Sequence, residues 1–320
     1  MLVANTTEAQ IAPLSDAAAA SSQSANLIHS QVKGAAEAGL TQSIGLSSTE
    51  LAANDAVAGS ALIAPKAPGE IVDLTPEIAR SAVDDALLAM DSYHESAAPE
   101  GYTRLSQDEI NAAVGGSVKL NDENSGFAAA VYRNDATGDI TIAFRGSEAG
   151  SWEEFQNDWL ESDVGQAFFN VPESYKQGAE LAGKIQAGFG DNAKVTLTGH
   201  SLGGGIANYA AIEHNMDYTV FNAAGLAQHT VNSLGDKVAQ YSGHGTVIND
   251  QYDPLTNYGG KNNDETWGDN AKHIGYDELV FVDNDSFKNW WDVAFNLNKR
   301  VDAHNLKNVI PSLQQAAMMA

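Results

Sequence analysis

The stretch Val195-Thr196-Leu197-Thr198-Gly199-His200-Ser201-Leu202-Gly203-Gly204-Gly205-Ile206-Ala207 constrains the fold of this chain more than any other. Val195 and Leu197 alternate with Thr196 and Thr198 at the period of two that a strand requires, and the small and apolar residues from Leu202 onward suit a helix packed closely on a sheet. Ser201 falls at the joint. A serine held in a strained backbone at a sharp strand-to-helix turn needs neighbours without side chains two positions away on each side, which Gly199 and Gly203 supply. That geometry lifts the hydroxyl clear of the sheet and sets it at a helix N-terminus, where N–H groups favour a developing negative charge. Glycine accounts for 29 of the 320 residues, so a bare G-x-S-x-G is weak alone. Strand before and helix after are what make it a nucleophile elbow.

The rest of the chain sets bounds on what such an elbow can serve. A hydrophobic content of 43% over 320 residues supports one large α/β domain with an appendage. There is no apolar run long enough to span a bilayer, and the N-terminus lacks the basic start and apolar core of a secretory signal. The expectation is a secreted protein exported without a cleaved signal and cytoplasmic before export. With no cysteine, thiol nucleophiles, disulfides and Cys-based zinc sites are excluded. A formal charge of −25 argues against nucleic-acid binding and repels anionic lipid at low salt.

Residues 1–68 are rich in Ala and Ser and hold no aromatic residue, so they read as a weakly ordered extension with some helix over 26–38. After the linker Ala64-Pro65-Lys66-Ala67-Pro68-Gly69, the catalytic domain is expected over 69–320. Thr75-Pro76-Glu77 opens a helix with an N-cap, a proline at N1 and an acid in the first turn; it is predicted to run to about His94, read as a cap rather than a ligand. Segments 127–132 and 140–144 form a predicted hairpin whose second strand runs into Arg145-Gly146-Ser147. Ser147 at that strand end is placed to donate to an oxyanion, because a tetrahedral oxyanion needs N–H groups from two segments. Trp152, Phe155 and Trp159 at helical spacing fit either a lid or a core helix. A helix over 173–189 and strands at 218–221 and 245–248 follow. Calcium near 249–285 is compatible with the acidity there but unsupported by any EF-hand spacing, and no cofactor is required.

A serine hydroxyl needs a histidine base and a carboxylate to orient it. In an α/β-hydrolase these follow the serine in the order acid, then histidine. Of the eight histidines, that order leaves His273 and His304. The acid belongs on a loop beyond a strand, which favours Asp250 or Asp253 over Asp217 and Asp236. We read Asp253, stiffened by Pro254 and about midway between Ser201 and His304, as the acid. His304 is read as the base because it begins a last apolar-periodic segment, Leu306, Val309, Ile310 and Leu313.

These pieces together resemble the lipase class 3 family of α/β-hydrolases: Ile142-Ala143-Phe144-Arg145-Gly146-Ser147 its oxyanion strand, Gly199-His200-Ser201-Leu202-Gly203 its elbow, Asp253-Pro254-Leu255 its acid loop, and His304 with Val309-Ile310 its histidine segment. Size, acidity and the signal-less N-terminus are most similar to the bacterial secreted phospholipases A1 among its members. The resemblance implies a central, mostly parallel sheet flanked by helices, with Ser201 as nucleophile, Asp253 as orienting acid, His304 as base, and Ser147 with Leu202 as oxyanion donors. It implies hydrolysis of lipid esters, foremost phospholipids at a membrane or micelle surface, by a phospholipase A1. The alternatives are a triacylglycerol lipase or general esterase, and, from a different class, a non-catalytic lipid-binding or docking protein that keeps the fold. A toxin role would add an accessory or neutralising protein as partner.

Overall fold

The computed structural model of the chain describes residues 69–94, 98–147, 171–190, 192–257, 271–283, 289, 292–293 and 297–319. Among these, a nine-stranded sheet organises everything else. Its strands are β1 (Glu70–Val72), β2 (Tyr102–Arg104), β3 (Asn121–Asp122), β4 (Phe127–Asn134), β5 (Ile140–Phe144), β6 (Val195–His200), β7 (Asp217–Phe221), β8 (Gly245–Asp250) and β9 (Glu278–Val282). In space they run β1-β9-β8-β7-β6-β5-β4-β2, with β3 pairing on β4. Every neighbour from β1 through to β5 is parallel, and β4 is antiparallel to β5, β2 and β3.

Helices cover both faces, as a mostly parallel sheet requires. α1 (Pro76–Asp91) and α8 (Leu306–Ala317) share an apolar cluster with the sheet residues Phe221, Ile248, Val280 and Val282. On the other face, α3 (Glu173–Phe189) and α4 (Leu202–His214) pack over Ile142, Leu197, Val220 and Val247. α4 is apolar on all sides and buried from Leu202 to Ile212, because it lies between the sheet and α3 rather than at the surface. The remaining helices are α2 (Gln107–Val114), α5 (Gln228–Ser233), α6 (Lys237–Gln240) and α7 (Leu297–His304). This is the α/β-hydrolase arrangement, with a hairpin-fed parallel sheet and the elbow at the end of a central strand.

Local chemistry explains the helix starts. Thr75 caps α1 by accepting from the Ile78 N–H, with Pro76 at its first position. Ser106 and Glu109 form a reciprocal capping box on α2. The first helix is shorter than its sequence reading: it ends at Asp91 with Ser92 as the cap, and His94 lies beyond it, its carbonyl accepting from the Arg104 guanidinium. β1 and β9 carry little strand signal in the sequence. β1 is three residues long, too short for alternation to register, and β9 is an apolar run within an Asn- and Asp-rich stretch. The extension 1–68, the segment carrying Trp152, Phe155 and Trp159, and Trp290, Trp291 and Phe295 lie outside the described residues.

α1 also places an acid against the sheet. The Asp85 carbonyl accepts from the Thr198 hydroxyl, and burial pushes the Asp85 carboxyl up to about 7 although a hydrogen bond from Thr219 acts the other way. Its folded-state value lies above the unfolded value, so this group's contribution to stability is fully present below about pH 4 and is lost as pH rises through 7. Asn cannot ionise and has nearly the shape of the neutral acid. The Asp85→Asn variant is therefore expected to gain thermal stability relative to the parent as pH rises from 4 to 7.5 and to hold a constant difference above that. Parallel thermal melts across that window check it, and a difference independent of pH would refute the assignment.

Candidate active site

The candidate site gathers at the carboxyl ends of β5, β6, β7 and β8, the end of a parallel sheet where backbone groups and loops are available for chemistry. Ser201, directly after β6, has φ 58 and ψ −129, a left-handed conformation costing a side-chain-bearing residue about 1–3 kcal/mol. Its surroundings over-determine it. The Ser201 N–H donates to the Phe221 carbonyl at 3.2 Å, and its own carbonyl accepts from Gly204 at 3.0 Å and from Ala224 at 2.9 Å. The elbow is thereby tied to the neighbouring strand as well as to its own helix.

The turn requires glycine at two close approaches. A side chain at Gly203 would collide with the carbonyl of Phe144, so α4 can start against the end of β5 only without one. At Gly146, a Cβ would stand 2.9 Å from that of Ser201 and 2.7 Å from the His200 carbonyl. Ser147, the next residue, is thus carried to the edge of the elbow by a strand end that touches the serine. Leu202, on the other side, is the first residue of α4 and is buried.

Two residues far apart in sequence meet here. His304 Nδ1 lies 3.1 Å from Asp253 Oδ1, with Asp253 fully buried and His304 nearly so. Asp253 Oδ1 also accepts from the Leu255 N–H at 3.0 Å, and Oδ2 accepts from the Thr256 hydroxyl at 2.7 Å. A buried carboxylate held by this many donors is fixed in its orientation. With Nδ1–H donating to the acid, His304 carries the lone pair that a general base needs on Nε2.

The other carboxylates and histidines left open by chain order fall elsewhere. Asp250 is buried too, but its Oδ1 accepts from the Tyr252 N–H in its own turn. Asp217, at the start of β7, pairs with Lys194. His273 donates through Nε2 to the Ala223 carbonyl at 3.0 Å. His304 differs from its sequence reading in one respect, since it closes α7 rather than opening the last apolar segment, and Asn305 then caps α8.

Two buried side chains grip the main chain of His304. His200 donates through Nε2 to its carbonyl at 2.7 Å, and Asn222 donates Nδ2 to the same oxygen at 3.0 Å. Asn222 sits at the end of β7 with φ 42, and its Oδ1 accepts the Asp250 N–H at 2.7 Å, joining the strand that leads to the acid with the helix that ends in the histidine. The His200 ring lies 4.8 Å from that of His304. Burial pulls His200 down to about 3, and the nearby charge of His304 adds to this, against the hydrogen bond to the His304 carbonyl. His200 therefore stays neutral beside the His304 ring. Sequence reading gave neither His200 nor Asn222 a role. Chain order removed His200 as a base, and Asn222 offered only its place after a central strand beside the elbow.

Among the described residues no cluster of His, Cys, Asp or Glu suits a metal ion, and no helix is long and apolar enough to cross a membrane.

Comparison with known proteins adds the following. A model of the phospholipase-like group, described as the Tle-like phospholipase domain, matches residues 84–272. The extracellular phospholipase A1 of Serratia liquefaciens is 32% identical over 238 residues, which span 72% of this chain and 69% of that protein. Among solved structures, a triacylglycerol lipase from Penicillium expansum aligns with a TM-score of 0.42 at 14% identity, over 64% of this chain and 81% of that one. Lip2 lipase from Yarrowia lipolytica aligns with a TM-score of 0.41 at 14% identity, over 67% of this chain and 82% of its own.

Proposed function

The chain belongs to the Tle-like phospholipase family, and from that premise we propose that it is a phospholipase A1, hydrolysing the sn-1 ester of glycerophospholipids to fatty acid and lysophospholipid. The observation that carries this reading is the buried Asp253–His304 pair at 3.1 Å, held by main-chain contacts against the segment that presents Ser201. Ser201 Oγ attacks the acyl carbonyl carbon while His304 Nε2 takes its proton. The oxyanion is met by the N–H groups of Ser147 and Leu202. His304 then returns the proton to the departing glyceryl oxygen, leaving an acyl-serine. Water, deprotonated by the same histidine, attacks that ester; the fatty acid leaves and Ser201 regains its proton. Each role in this sequence of steps is filled by a group of this chain.

Product analysis on phosphatidylcholines with different acyl chains at the two positions tests the proposal. The expected products are the sn-1 fatty acid and the 2-acyl lysophospholipid, at a rate unaffected by EDTA. Release from triglyceride in preference to phospholipid would favour a triacylglycerol lipase, and absence of any ester turnover would favour a lipid-docking role. The Serratia relative is extracellular; we extend that setting to this chain, and phospholipase activity confined to the cytoplasm of producing cells would refute it.

A further inference from the structure

Tyr93 and His200 make a directed hydrogen-bond chain between two segments that the proposed reaction uses at opposite sides of Ser201. A carbonyl only accepts, so the 2.7 Å contact between His200 Nε2 and the His304 carbonyl places the His200 proton on Nε2. Nδ1 of the neutral ring is then an acceptor, and the Tyr93 hydroxyl, 2.8 Å away, must donate to it. With its proton committed, the Tyr93 oxygen accepts the Gly146 N–H at 2.9 Å. Every donor in this chain faces an acceptor, and it runs from the end of β5, through the segment after α1 and the residue before the nucleophile, to the last residue of α7.

We infer that His200 and Tyr93 are positioning residues, which hold the strand end carrying Ser147 and the main chain of His304 at a set separation around Ser201. This rests on the assignment of Ser201, Asp253 and His304 above. The two ends of the chain are an oxyanion donor segment and the base, whose relative placement governs the transition state. Displacement of such groups by about 1 Å costs on the order of 100-fold in rate. A neutral imidazole is well suited to the post, because it offers one donor and one acceptor on opposite sides of a rigid ring. An aliphatic residue fills the space and joins nothing, and a cation would repel the imidazolium that forms on His304, 4.8 Å away between ring centres. Asn222 supports the same carbonyl from the acid side, while the link to Gly146 runs through Tyr93 and position 200.

The test uses the full-length protein with Tyr93→Phe, His200→Leu and His200→Gln, assayed on a soluble nitrophenyl ester with thermal melts alongside. Tyr93→Phe is expected to lower kcat on the order of 10-fold and His200→Leu on the order of 100-fold, with KM unchanged in both. His200→Gln, whose amide retains a donor and an acceptor, is expected to recover most of the loss. If Tyr93→Phe fails to fold, the Leu and Gln pair at position 200 decides. Melting temperatures that fall while kcat stays within twofold of the parent, or Gln no better than Leu, would overturn the inference by making these residues structural only. A Ser201→Ala control separates the two failures. Full activity there removes the site assignment itself, whereas an inactive Ser201→Ala beside an undiminished Tyr93→Phe removes only the positioning chain.

Discussion

Ser201→Ala is expected to lower ester hydrolysis by on the order of 10⁵–10⁶ while leaving the fold as stable as the parent. The two halves of that expectation have separate causes. Activity is lost because no other hydroxyl is presented on the elbow, so the covalent step has no nucleophile. Stability is kept because the conformation of residue 201 is imposed by main-chain contacts, namely its N–H on the Phe221 carbonyl and its carbonyl under the Gly204 and Ala224 N–H groups. Alanine retains a Cβ and hence the strain at φ 58. Ser201→Gly removes that strain, and even after glycine's entropic cost it is expected to raise stability by about 1 kcal/mol while being equally inactive. Initial rates on a nitrophenyl ester, labelling by a fluorophosphonate, and thermal melts read all three. Residual labelling of either variant would mean that another residue is the nucleophile.

Asp253→Asn is the second large effect, with kcat expected to fall on the order of 10³ and KM to change little. The neighbours of Asp253 decide how the amide sits. The position of Oδ1 faces two N–H donors, Leu255 N–H and His304 Nδ1–H, whereas that of Oδ2 faces only the Thr256 hydroxyl, which can turn to accept. The amide oxygen therefore takes the Oδ1 place and the NH₂ turns to Thr256. His304 keeps its tautomer, and the loss comes from the missing negative charge beside the forming imidazolium. Asp250→Asn, whose amide oxygen can still accept the Tyr252 N–H, is expected to leave kcat within tenfold. The reverse ranking of these two variants would transfer the acid role to Asp250.

Much of the framework was legible before any coordinates. The elbow strand and α4, the hairpin of β4 and β5, and the helix over Glu173–Phe189 stand where periodicity and turn residues put them. Such elements are set by contacts among near neighbours, and their patterns are long enough to read. Ser106 and Glu109, at capping-box spacing, mark the start of α2 in the same local way. By contrast, β1 pairs with β9 across some two hundred residues, and nothing local in either segment announces a parallel partner. His94 failed as a cap because Ser92 already closes α1.

The elbow that presents Ser201 is legible in the sequence alone. A strand, two spaced glycines and a helix mark one turn, and the folded chain then ties that turn to Phe221 and Ala224, at and just beyond the end of the neighbouring strand. The partners of Ser201 belong to the tertiary structure. Chain order narrows the base to His273 or His304, loop position narrows the acid to Asp250 or Asp253, and the sequence favours His304 and Asp253; which of these four buried side chains meet depends on where the loops after β8 and the end of α7 come to rest. Packing of α8 against the sheet and of α7 against α8 sets that, with Asn222 and His200 gripping the His304 carbonyl between them. No periodicity encodes such a meeting, because the residues involved sit at the ends of elements and face one another only once the sheet has ordered those ends side by side.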